Sequence, residues 1–189
     1  MDFHFDPRLL LALASGIVIA ATCGLRAFLP LLALGAAARV NLMPLAPSLH
    51  WLSSDLALIA LGVATVAEVA GDKIPILDHA LDVIGTVVRP AAAAFGSFVV
   101  LQGWPEPWGA LIALMLGGLA LGVQGVKAKA RVGSTVLSLG HANPLLSLVE
   151  DVIALAGTVL AIVLPALALT LVVLGLWLVF GRRRRAGVT

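Results

Sequence analysis

Charge is what this chain has least of. Only 12% of its 189 residues are Asp, Glu, Lys or Arg, while 61% are hydrophobic and the mean hydropathy is +1.10. Soluble domains carry about 25% charged residues, so the composition excludes an ordinary water-soluble globule and names the lipid bilayer as a partner. Cysteine occurs once, at Cys23, so neither an intramolecular disulfide nor a cysteine-based metal cluster can form. Cys23 reads as a small buried apolar residue. Catalytic signatures are missing too: there is no Walker A loop, H-E-x-x-H, G-x-S-x-G or G-x-G-x-x-G, which makes an enzyme the less favoured reading. Seven of the twelve basic residues fall in Lys127, Lys129, Arg131 and Arg182–Arg185. They read as markers of a cytoplasmic face, and nucleic acid is not needed as a partner. The N-terminus has no Lys/Arg-rich leader and no A-x-A cleavage site, so its apolar run reads as a retained span.

What is present is long apolar runs at helical periodicity, which predict an all-α, polytopic membrane bundle of about six short spans with broken helices. The first stretch, Leu9 to Ala38, is interrupted at Gly24-Leu25-Arg26 and at Pro30. It is read as one kinked crossing, with a re-entrant hairpin as the competing possibility. Asn41–Ser54 reads as an interfacial loop and Asp55–Ala70 as the second span. Ile76–Val88 is amphipathic and predicts one interfacial helix, followed by a short third span, Pro90–Leu101, whose small residues suit close helix packing and offer a homo-oligomer surface. Trp104-Pro105-Glu106-Pro107-Trp108 predicts an interfacial turn, and a fourth span runs from Gly109 to about Val126. Ser147–Phe180 would be roughly 50 Å long as a single helix, so two crossings with a turn near Leu164–Ala166 are expected. Both termini then fall in the cytoplasm, with residues 1–181 as one membrane domain and 182–189 as a basic tail.

Six of the ten carboxylates lie between the apolar runs: Glu68, Asp72, Asp78, Asp82, Glu150 and Asp151. Ionisable groups at membrane depth are costly and mark functional sites by default. Glu68 and Asp72 are four residues apart, as are Asp78 and Asp82, so each pair shares a helical face. Like charges that close push one pKa upward, which suits a proton relay or the capture of a divalent cation. Lys73, Arg89 and Arg131 are the basic neighbours that would instead make this a structural ion-pair network. Asn143, Ser147, Glu150 and Asp151 fall near one face of a helix starting after Pro144. Arg26, alone in an apolar stretch, calls for a carboxylate from another span, with Glu68 or Glu150 the expected partner. His79 and His141 accompany the acidic and loop clusters and read as solvated rather than as metal ligands.

Three ordered motifs carry a family resemblance. They are Gly24-Leu25-Arg26-Ala27-Phe28-Leu29-Pro30; then Glu68…Asp72-Lys73-Ile74-Pro75…Asp78…Asp82…Arg89-Pro90; then Asn143-Pro144…Ser147…Glu150-Asp151. Over nearly its whole length the chain resembles the bacterial inner-membrane family known as domain of unknown function 4126. It departs at Gly71, where a residue such as alanine is expected. The resemblance implies a polytopic inner-membrane protein and supplies no activity. From the residues themselves, the leading expectation is a transporter or carrier with a carboxylate-lined site for a cation or a proton-coupled solute. Its candidate residues are Glu68, Asp72, Lys73, Asp78, Asp82, Arg89, Glu150, Asp151, Arg26 and Asn143. The alternatives are a membrane-embedded enzyme or carrier for a phosphorylated lipid, and a non-catalytic scaffold.

Overall fold

A computed structural model describes residues 6–73, 75–138 and 143–185, with backbone alone for 75–80, 82, 135–138, 143–144, 176 and 178–185. Seven α-helices follow one another: α1 (Pro7–Leu25), α2 (Phe28–Arg39), α3 (Asp55–Gly71), α4 (Pro75–Leu101), α5 (Trp108–Ser138), α6 (Asn143–Val163) and α7 (Pro165–Arg185). A 3-10 helix, Pro47–Ser53, precedes α3 at an angle of 55°. Among the described residues there are no strands. Four helices are long and apolar enough to cross a membrane, and the bent pair ending in α3 makes a fifth.

Local chemistry sets the helix starts. Asp6 caps α1, its side chain accepting from the Arg8 N–H at 2.9 Å, and Pro7 takes the first helical position, where its missing N–H costs nothing. Ser54 caps α3 through the Ala57 N–H at 3.2 Å. Helix α1 is the hub, packing against α4, α5, α6 and α7. Its close approaches depend on small residues. A Cβ at Gly24 would lie 2.7 Å from the Val123 side chain and 2.8 Å from the Ala120 carbonyl oxygen, so only glycine lets α1 and α5 meet there. Buried hydroxyls join the helices as well: Ser15 donates to the Ala161 carbonyl at 2.7 Å, and Ser97 to that of Gly16 at 3.0 Å. The outward faces are hydrocarbon, with Leu56, Ile59, Val63 and Val66 of α3 all more than half exposed, as suits lipid.

The two ends of the bundle are chemically distinct. At one end the Trp104 indole donates to the Leu9 carbonyl at 3.2 Å and the Gln102 amide donates to that of Pro44 at 2.7 Å. At the other end lie Arg26, Asp72, Lys127 and Arg131. Helix α1 therefore runs from the tryptophan end to the charged end, and α2 runs back beside it. Gly96 confirms the level of each, since a Cβ there would touch Ile19 of α1 at 2.9 Å and Leu31 of α2 at 3.1 Å.

Several expectations are corrected. The stretch Leu9–Ala38 is two antiparallel helices rather than one kinked crossing, because the chain reverses at Arg26-Ala27. Consequently α1 begins at the end away from the charged residues. The amphipathic segment Ile76–Val88 is not a separate interfacial helix: α4 runs unbroken through Pro90. Prolines are tolerated in membrane helices where neighbours re-satisfy the freed backbone groups. The small residues Ala92, Ala93 and Ser97 of α4 are buried within the chain itself, while Ala91 is exposed. Helix α5 does not stop near Val126 but continues to Ser138. The break between α6 and α7 falls at Leu164, inside the expected turn.

Candidate functional site

The reversal after α1 creates the site. Arg26 leaves the helix with an extended backbone (φ −137°, ψ 118°), and α2 starts at Phe28 with no capping side chain of its own. Pro30 occupies the third position of α2, where an N–H would lack an intrahelical partner anyway. The open N-terminus of α2 is capped from another element. Glu68, in the last turns of α3, accepts from the Ala27 N–H at 3.0 Å and from the Phe28 N–H at 3.3 Å. A carboxylate at the positive end of a helix dipole is favourably placed. The Arg89 guanidinium of α4 approaches the same carboxylate, Nε to Oε1 3.9 Å.

Around Arg26 the charges pair closely. Its guanidinium donates to Asp72 through one terminal nitrogen and to the Ser147 hydroxyl through the other at 2.8 Å, and its Nε forms an ion pair with Asp151 at 2.6 Å without hydrogen-bond geometry. Arg131 bridges Asp72 at 2.7 Å and Glu150 at 2.9 Å. Lys127 Nζ lies 3.1 Å from Glu150, 3.4 Å from Asp72 and 3.3 Å from the Leu25 carbonyl oxygen. Helical spacing explains the convergence: Lys127 and Arg131 are one turn apart on α5, and Ser147, Glu150 and Asp151 share a face of α6. The cluster thus gathers four cations, Arg26, Arg89, Lys127 and Arg131, and four carboxylates, Glu68, Asp72, Glu150 and Asp151. Arg26 and Arg89 are almost fully buried (0% and 1% exposed), which is sustainable only because the opposite charges are present.

Of the residues singled out in the sequence, Arg26, Glu68, Asp72, Arg89, Arg131, Ser147, Glu150 and Asp151 come together. Lys73 is exposed. The side chains of Asp78, Asp82 and Asn143 lie outside the described residues, as do His79 and His141. Arg26 pairs with Asp72 and Asp151 rather than with Glu68 or Glu150. Glu68 and Asp72 do not act as a like-charge couple, since different groups engage them. Burial pushes the Asp72 carboxyl up, but Lys127, Arg26 and Arg131 outweigh that and hold it below the usual carboxylate range, one residue past the end of α3. Lys127, which by sequence reads as a topological marker, belongs to the cluster. The signal lay in the sequence: no turn residue falls between Lys127 and Val132, so one helix carries Lys127 and Arg131 inward together.

A divalent cation does not fit the described donor set. Among the described residues, no three His, Cys, Asp or Glu side chains group as a metal site requires, and arginine or lysine nitrogens engage each acid of the cluster. Beside the cluster, between α2, α3 and α4, lies a cavity of about 250 Å³ whose wall is apolar except for Glu68.

Fold and site together define a multi-pass, all-α membrane protein built around a reversed helix pair and a buried, charge-balanced cluster. The chain belongs to the family described as domain of unknown function DUF4126, whose model matches residues 13–185 and so covers all of the cluster. No curated protein and no solved structure matches it.

Proposed function

We propose that the protein is a small carrier of the bacterial inner membrane in which Glu68 is the proton-coupled carboxylate of the transport site. The ion pairs around Arg26 serve as the fixed latch beneath it. The observation that carries this reading is the α1–α2 break at the cavity wall, where the Ala27 and Phe28 N–H groups at the start of α2 donate to Glu68. Discontinuous helices whose half-helix N-termini face a cavity are the recurring binding architecture of secondary transporters. The cations of the cluster are matched by carboxylates and leave no excess positive charge for a phosphorylated lipid, which disfavours that alternative. A scaffold would need neither the cavity nor a carboxylate in its wall.

The test is solid-supported-membrane recording on proteoliposomes under a pH gradient, challenged with a deproteinised extract of small cellular solutes. Wild type gives a transient current, Glu68→Gln loses it, and the exposed-site variant Asp55→Asn keeps it. No current in wild type, or an unchanged current in Glu68→Gln, overturns the proposal.

For topology, we place the charged end and the Arg182–Arg185 tail on the cytoplasmic side, following the positive-inside rule. Counting α2 as a short return pass then gives seven passes, with α1 entering from the external side. Reporter fusions ahead of Asp6 and at Pro105 are expected to read as external and a fusion at Ala186 as cytoplasmic. A cytoplasmic reading ahead of Asp6 refutes the arrangement.

A further inference from the structure

We infer that the cavity between α2, α3 and α4 binds a monocarboxylate with an apolar body, and that Glu68 occupies the ligand carboxylate's place when the site is free. This rests on the carrier reading and names its substrate class. Apart from the acid, the cavity wall is hydrocarbon, drawn from Phe28, Ala64, Leu81, Ile84 and Val88. Such a wall favours a hydrocarbon body. A cavity of 150 Å³ accepts benzene, so the space of about 250 Å³ suits roughly ten heavy atoms.

The polar end of the cavity decides the sign of the ligand. An uncompensated carboxylate would call for a cation, but Glu68 is already compensated by the Ala27 and Phe28 N–H groups at 3.0 and 3.3 Å. Arg89 adds positive charge at the same end. A Cβ on Gly85, another wall residue, would lie 3.1 Å from the Arg89 Cζ, so the guanidinium is packed directly behind that wall. Remove the Glu68 charge and what remains is a set of donors at a helix N-terminus: a carboxylate site at the end of an apolar chamber.

The exchange balances in charge. One proton from solution joins the Glu68 carboxylate, which releases the two N–H groups, and the incoming carboxylate accepts from them instead. Two ionised carboxylates on the same donors would repel, so one ligand enters with one proton. Because α3 packs chiefly on α2 and only lightly on α4, an amphiphile has a route in from the lipid between α3 and α4.

Isothermal titration of the full-length protein in maltoside micelles at pH 7 tests this with octanoate, octylammonium and octanol as probes. Running each titration in phosphate and in Tris reports proton uptake from the difference in buffer ionisation heat. Wild type is expected to bind octanoate at least tenfold more tightly than octylammonium or octanol, with one proton taken up per ligand. Glu68→Gln binds octanoate with no proton uptake. Ala64→Trp and Leu81→Trp, which fill the cavity, each weaken octanoate at least tenfold while Cys23 stays protected from alkylation. Preference for octylammonium, proton uptake that survives in Glu68→Gln, or octanoate affinity unchanged in both tryptophan variants overturns the inference. The measurement is made at equilibrium, so it can succeed where the transport current fails, and a current without octanoate binding would leave a carrier of another substrate class.

Discussion

Asp72→Asn is expected to be the most destabilising conservative substitution in the chain, by about 3–5 kcal/mol, the range for removing one partner of a buried ion pair. Asp72 is the shared acceptor of the cluster: Arg26, Lys127 and Arg131 all address its Oδ2. Asparagine keeps the shape and deletes the charge, leaving four cations against three carboxylates among the described cluster residues. The readout is built in. Cys23 is the single cysteine and is fully buried, so its alkylation by a thiol-reactive dye on heating reports opening of the bundle. Asp55→Asn is the control, because the Arg39–Asp55 pair is exposed (52% and 78%) and such pairs are worth less than about 1 kcal/mol. Equal melting of the two variants would dispose of the network. The pH dependence has a definite sign. A carboxylate held below its unfolded range stabilises the fold at neutral pH, and that contribution is lost as pH falls from about 4 through the native value. Wild type should therefore lose protection of Cys23 in acid, and Asp72→Asn should lose less. A charge swap of Arg26 with Asp72 is expected to fail, since an arginine at position 72 would face Arg131 and Lys127.

The bilayer location, the all-α class and the membership of most cluster residues were legible because charge is so scarce that each buried ionisable residue stands out. Direction was not legible. Nothing in Gly24–Pro30 separates a kink from a reversal, since a glycine, an arginine and a proline are compatible with both. The decision comes from contacts far along the chain, namely Glu68 capping α2 and Gln102 and Trp104 fixing the opposite end. The basic group on α5 misled for a related reason. Lys127, Lys129 and Arg131 read together as markers of a cytoplasmic face, and of the three only Arg131 reads as a partner of the acids. Yet the i, i+4 pair Lys127 and Arg131 faces inward while Lys129 is exposed. A helix carrying both requires only that the absence of a breaker between Lys127 and Arg131 be weighed above the presence of charge. The choice of Asp72 and Asp151 over Glu68 and Glu150 as partners of Arg26 depends on helix rotation, which a four-residue spacing leaves open.

Arg26→Lys is expected to damage the protein nearly as much as Arg26→Met, although it keeps the charge. Arg26 acts as a three-way connector: its nitrogens reach Asp72 of the α3 end, and Asp151 and Ser147 of α6, in different directions. The planar guanidinium holds those donors at fixed angles, whereas an ammonium is a single point on a flexible stem. Lysine would retain one carboxylate, lose the pairing with the other and leave the buried Ser147 hydroxyl without its donor, the last costing about 1–3 kcal/mol. Lys127→Arg gives the contrasting case, in which a larger group enters a site that now holds an ammonium among three acceptors. Overpacking there should cost about 1–3 kcal/mol while keeping the ion pairs. Cys23 alkylation of the purified variants, ranked by midpoint temperature, reads both effects. If Arg26→Lys melts with wild type while Arg26→Met collapses, charge alone holds the α1–α2 reversal in place and the geometric role assigned to the guanidinium is wrong. If both collapse together, the reversal that opens α2 toward Glu68 is held by directed hydrogen bonds, and the cavity wall inherits its shape from that one side chain.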